Sequence, residues 1–148
     1  MTMRRIFVYI LVTLCSVLAS CDIVTSDNGD LDGLWQMTTF ENLKTGEVCD
    51  GRQIGGGLNW AFQGHLLVMR GADELIFSFE HGDRVLKLYN PYLSGRFTET
   101  SDDTPITDAT QLNVYGVYQL EEYFRILELS SSNMRLESAN VRLTFRKY

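Results

Sequence analysis

The feature that most constrains this chain is a period-two alternation of apolar and polar side chains, repeated in short blocks from residue 34 to the end. Successive side chains of an extended strand point to opposite faces, so alternation marks a strand with one buried face. In 34–40, LWQMTTF, Trp35, Met37 and Thr39 share a face. In 58–63, LNWAFQ, Leu58, Trp60 and Phe62 stand opposite Asn59, Ala61 and Gln63. The block 65–70, HLLVMR, is apolar on both faces. Leu75, Phe77 and Phe79 align in 74–80, and Leu86 and Leu88 align in 84–89. Three further blocks follow at 123–129, 134–138 and 141–147, the last setting Val141, Leu143 and Phe145 against Arg142, Thr144 and Arg146.

These blocks predict eight strands. Gly64, Gly71-Ala72-Asp73, His81-Gly82-Asp83, Ser130 to Asn133 and Ser138-Ala139-Asn140 lie between them and carry turn chemistry. Such short connections join antiparallel neighbours, so the strands form a meander. Between the fifth and sixth strands, TDATQLNVYG at 107–116 predicts one short helix. Asp108 begins it, with Gln111 three residues on as in a capping box, and Gly116 can end it. Eight short antiparallel strands with one apolar face close into a barrel, which removes exposed edges. An open sandwich is the alternative arrangement.

The N-terminus is of another kind. Arg4 and Arg5 precede an uncharged run, IFVYILVTLCSVLA, at 6–19. A short positive segment before such a run is the layout of a secretory signal peptide. The run falls short of the roughly 20 apolar residues that a membrane span needs. It ends Leu18-Ala19-Ser20-Cys21, which resembles the lipobox of bacterial lipoproteins: an aliphatic residue, two small residues and a cysteine. The resemblance implies lipid attached to the Cys21 thiol, cleavage after Ser20 and acylation of the new N-terminus. Several acyl chains hold a protein at a membrane where one is marginal.

Residues 1–20 are then a lipoprotein signal peptide, and the acidic stretch 21–32 is a flexible tether. The domain occupies 33–148. Loss of 1–20 removes two arginines from the 13 basic side chains and leaves 11 against 19 acidic ones, a net charge of −8. An acidic chain argues against nucleic acid and against anionic membrane surfaces as partners. Cys49 is the one other cysteine of the mature chain, so no internal disulfide framework is available.

The head of the first strand, Gly33-Leu34-Trp35, is similar to the Gly-x-Trp of lipocalins and related calycin barrels. The tail FRILELSSSNMRLESANVRLTFRKY resembles the closing hairpins of small lipocalin-like lipoproteins of Gram-negative bacteria. The resemblance covers about residues 31–148. It implies a small lipocalin-like barrel whose Trp35 plugs the closed end and meets a basic residue of the last strand, Arg146 or Lys147. It also implies a lipid-anchored envelope protein, placed at the outer membrane. Lipocalins carry a helix after the last strand, whereas this chain ends in a strand.

Two functions fit. The barrel could bind a small apolar or amphipathic molecule in a pocket walled by Trp60, Phe62, Phe77 and Phe79, since small-ligand sites are mostly apolar with few polar groups. Alternatively the same bulky residues pack only on each other, and the protein is a contact module. It would then act through the long loops 41–57 and 90–106, where Tyr92, Arg96 and Phe97 stand in polar company. No catalytic constellation is present in the sequence. His65 and His81 belong to no ligand-spaced cluster, and the pairs Glu121-Glu122 and Asp102-Asp103 read as solvated charge. The chain is thus expected to be no enzyme and to need neither metal nor cofactor.

Overall fold

The computed structural model describes Met3, residues 26–97, Glu99 and residues 101–148, without the side chain of Phe97. The signal segment and Cys21 lie outside the described residues. Among the described residues ten strands occur: β1 (Gly33–Asn42), β2 (Val48–Asp50), β3 (Asn59–Gln63), β4 (Leu66–Arg70), β5 (Glu74–His81), β6 (Val85–Leu93), β7 (Thr104–Pro105), β8 (Glu122–Leu129), β9 (Asn133–Glu137) and β10 (Val141–Lys147). Each of the eight alternating blocks is a strand.

All pairings are antiparallel, and the path runs β1-β3-β4-β5-β6-β8-β9-β10. β10 then returns to pair with β1, from Trp35 opposite Lys147 to Asn42 opposite Val141. That contact closes the barrel and excludes the open sandwich. β1 can serve three neighbours because it bends. A bulge between Met37 and Thr39 divides its other edge, the first half pairing with β3 and the second with β2. Trp35, Met37, Leu58, Trp60, Phe62, Leu75, Phe77, Phe79, Leu86, Leu88, Leu143 and Phe145, aligned by the alternation, lie in one buried cluster, none more than 3% exposed, whereas Thr39 is only half-buried.

β2 and β7 are additions to the predicted set. Three and two residues are too few for alternation to show. They stand inside the stretches expected as loops, so 41–57 and 90–106 are partly sheet. β6 also outruns its predicted block. Asn90, with φ 51, makes a bulge that carries the strand on to Leu93.

The short helix is present as a 3₁₀ helix, Ala109–Tyr115. Asp108 caps it, accepting the Thr110 backbone N–H at 2.9 Å and its hydroxyl at 2.7 Å. Gly116 ends it in the left-handed region, φ 84. The capping partner is Thr110 rather than the capping-box Gln111.

Residues 26–32, assigned by their polar composition to the tether, fold against the barrel. Gly29–Leu31 make a 3₁₀ turn with Leu31 fully buried. Asn28 donates to the Gly64 carbonyl at 2.7 Å, and Ser26 donates to Asp32 at 2.9 Å. One apolar side chain in a polar stretch was enough to dock it.

Candidate functional site: the barrel interior and its two ends

Trp60 and Phe62 on β3 face Phe77 and Phe79 on β5, and all four are at most 2% exposed. The rings of Trp60, Phe62 and Phe79 meet one another in sequence, and Trp60 reaches the far wall. Trp60 lies 5.8 Å from Phe124 on β8 and 4.9 Å from Phe145 on β10, and Phe62 lies edge-on to Phe79 at 5.1 Å. Aromatic side chains thus span this interior from wall to wall. One polar atom is stranded among them: the indole N–H of Trp60 is buried with no acceptor.

The end of the barrel at the start of β1 is sealed by Trp35. Its indole N–H donates to the Leu31 carbonyl at 2.8 Å. The Lys147 ammonium sits 4.7 Å from the centre of the Trp35 ring and donates to the Asp30 carbonyl at 2.7 Å. The basic residue at the plug is therefore Lys147 and not Arg146. Arg146 pairs across from Gln36 and points to solvent. Gly33 has φ 115, where an L side chain is strained, and an added Cβ would lie 3.6 Å from the Lys147 side chain. The glycine of Gly33-Leu34-Trp35 is thus a backbone requirement.

The opposite end is covered by residues 106–117. Ile106, Leu112, Tyr115 and Val117 are buried there. The Tyr115 hydroxyl accepts the Asp73 backbone N–H at 2.9 Å and lies 3.1 Å from the Asp73 carbonyl, to which it can donate. A Cβ on Gly71 would collide with Leu58 at 2.6 Å and crowd Tyr115 at 3.1 Å, so the turn must be bare for the cover to sit. Burial pushes the Tyr115 hydroxyl above its ordinary pKa, so it stays a neutral hydroxyl. Sequence reading missed these plug residues. The available signal was the i, i+3 spacing of Leu112 and Tyr115 between Asp108 and Gly116, the period of a 3₁₀ helix.

Outside the wall, where β6 leaves β8, lies a groove of about 300 Å³ lined by Tyr89, Pro91, Tyr92, Pro105, Ile106 and Leu120 among others. Of the proposed contact residues, Tyr92 lines it and is 37% exposed. Arg96 is exposed in the 3₁₀ turn Gly95–Phe97, and the Phe97 side chain lies outside the described residues.

Of the acidic pairs, Glu122 is not solvated: it is 4% exposed and accepts the Tyr118 backbone N–H at 2.8 Å. Glu121 stays at the surface, where the Tyr123 hydroxyl and Lys87 hold its carboxyl below the usual range. Cys49 is a free, half-buried thiol on β2, raised in pKa by burial first and then by the Glu47 carboxylate. Among the described residues no cluster of His, Cys, Asp and Glu could hold a metal ion, and no helix is long and apolar enough to cross a membrane.

The lipocalin-like domain model matches residues 15–148, nearly the whole chain. The chain belongs to the lipocalin-like domain family. A solved lipocalin-like protein from Bacteroides uniformis ATCC 8492 is similar in fold, with a TM-score of 0.57 and 19% identity over 81% of this chain and 100% of that one. An uncharacterized protein from Bacteroides eggerthii DSM 20697 is also similar, with a TM-score of 0.53 and 17% identity over 79% of this chain and 98% of that one. No curated protein matches. As a lipocalin-like barrel, the chain has an architecture typical of small-ligand binding and generally without catalysis. Eight-stranded barrels of this size either fill with side chains or hold one small ligand.

Proposed function

We propose that this chain is a non-enzymatic lipoprotein of a Gram-negative cell envelope, anchored by lipid on Cys21 at the outer membrane, whose barrel binds a small apolar or amphipathic molecule. The lipobox supports the anchor. The observation that carries the ligand reading is the Trp60 indole N–H, buried in an aromatic core with no acceptor. Leaving a buried donor unpaired costs about 1–3 kcal/mol. A core that needed only volume would be served by Phe at this position. A ligand with an apolar body and one carbonyl or carboxylate oxygen supplies the missing acceptor, while Phe62, Phe77 and Phe79 yield to its tail. Residues 106–117 are the door, because they rest on the barrel without a strand of their own between Pro105 and Glu122.

The test is a titration of the purified chain with oleate, followed by isothermal calorimetry, beside the Trp60→Phe variant. We expect a saturable change in the native chain that the variant loses. No saturable change would overturn the reading and favour the second one. In that second reading the domain is a protein-contact module working through the groove beside Tyr92, whose lining of two tyrosines and two prolines is the observation in its favour.

A further inference from the structure

Two outward rows of the barrel wall differ in chemistry, and the Arg70–Glu74 ion pair borders the apolar one. Across β8, β9, β10 and the second half of β1 the in-register residues are Arg125, Glu137, Arg142 and Glu41. They are joined as a ladder of ion pairs. Glu137 takes both Arg125 and Arg142, and Arg142 reaches Glu41 at 2.9 Å. Across β1, β3, β4, β5, β6 and β7 the in-register row is Leu34, Ala61, Val68, Ile76, Tyr92 and Pro105. This row has no charge, and all six residues are half-exposed or exposed. Leu66, half exposed at 50%, lies beside it. With strands about 4.8 Å apart, six neighbours make an apolar row roughly 24 Å long. Contiguous exposed apolar surface of this kind marks an interaction site.

The tether says what covers it. Ser26 lines a groove of about 380 Å³ together with Gly33, Ala61 and Gln63, so the chain leaves the barrel at the Leu34–Ala61 end of the row. Five residue steps from Cys21 to Ser26 reach roughly 17 Å at full extension. A lipid on Cys21 is therefore confined to this side of the wall, away from the ladder. Tethering raises the effective concentration of the bilayer at the row, so a patch too weak to hold a membrane alone is kept against it.

We infer that the Leu34–Pro105 row is the membrane-facing side of the anchored domain, with the ion-pair ladder turned to water. The inference rests on lipidation of Cys21. It places Tyr92 where an aromatic with a polar tip is favoured, at the boundary of apolar and wet phases. It also sets the groove at Tyr92 and Pro105, next to the door at Ile106, at the membrane surface. An apolar ligand would then pass between bilayer and barrel without crossing water.

The experiment uses the full lipidated chain with Cys49→Ala. A polarity-sensitive fluorophore is placed at Ile76→Cys or, as a second position, Val68→Cys, and at Arg135→Cys on the opposite wall. The proteins are reconstituted in vesicles of zwitterionic phosphatidylcholine, with a nitroxide-bearing phospholipid as quencher. We expect several-fold stronger quenching and a blue-shifted emission at positions 76 and 68 compared with 135. Equal quenching on both walls of an acylated chain overturns the inference and leaves the anchor standing. An intact mass without acyl groups on Cys21 overturns both. A blue shift at 76 in the unlipidated Cys21→Ser chain, accompanied by dimer mass in sedimentation, assigns the row to a second copy instead and overturns the membrane reading.

Discussion

The two ends of this barrel are closed by different means. At one end the plug is Trp35, a residue of a central strand with β10 on one side and β3 on the other. Its ring is held by the Leu31 carbonyl and the Lys147 ammonium. At the other end the plug is Tyr115, on a 3₁₀ helix that belongs to no sheet. It is tied to the barrel by one hydroxyl shared with the Asp73 backbone and by the packing of Ile106, Leu112 and Val117. The first seal cannot move without breaking the ladder that closes the barrel. The second can leave as a unit, because its backbone bonds are largely local. Elements with few ties to the sheet sit at the low end of the range of local opening energies. The two ends are thus held by different chemistry, one by the sheet and one by a short helix resting on it.

The strongest way to break this comparison is Trp35→Ala. Removal of a fully buried tryptophan costs about 3–5 kcal/mol. We expect a large drop in the denaturant midpoint and faster amide exchange across β1, β3 and β10 together. If exchange rises only at residues 29–35, the plug is as detachable as the other and the comparison fails. Tyr115→Phe tests the second seal. It deletes the hydroxyl bonds to the Asp73 backbone while keeping the ring, at a cost of about 1 kcal/mol. We expect faster exchange confined to 106–117 and to the 71–73 turn, with the Trp35 end unchanged. The smallest effect is expected from Lys147→Met, which keeps the stem over the ring and removes the charge. It should cost about 0.5–1 kcal/mol in thermal or chemical denaturation. The parallel Arg146→Met change should cost less, since Arg146 is exposed beside Gln36 and does not touch the plug.

Much of the fold was legible because a strand writes its burial into the sequence at a fixed period. Trp60 and Phe62 are inward because Asn59, Ala61 and Gln63 between them are not, and one slip of register would have reversed the whole set. The 3₁₀ helix at Ala109–Tyr115 was legible through Asp108 and Gly116, which mark its ends by side-chain capping and by a left-handed backbone. The docking of 26–32 was not legible, because it depends on a single buried Leu31 and on a bond from Asn28 to the carbonyl of Gly64, 36 residues away. The choice of Lys147 over Arg146 was also hidden. Alternation sends Arg146 outward and Lys147 to the face of Phe145, but only the closing register, with Lys147 opposite Trp35, shows which of the two meets the ring.

By itself the sequence determined the strands, their order as a meander and the inward faces, and it carries the lipobox-like Leu18-Ala19-Ser20-Cys21 ahead of the domain. These are local matters, set by the two-residue period, by turn residues and by a motif of adjacent positions. The tertiary structure alone decided which residues of β10 pair with β1, that the aromatic interior is spanned from wall to wall, and that Tyr115 covers one mouth. It also lined up Leu34, Ala61, Val68, Ile76, Tyr92 and Pro105 in one row. Each of these depends on which residues of distant strands fall opposite one another, and that register follows from closing the sheet on itself.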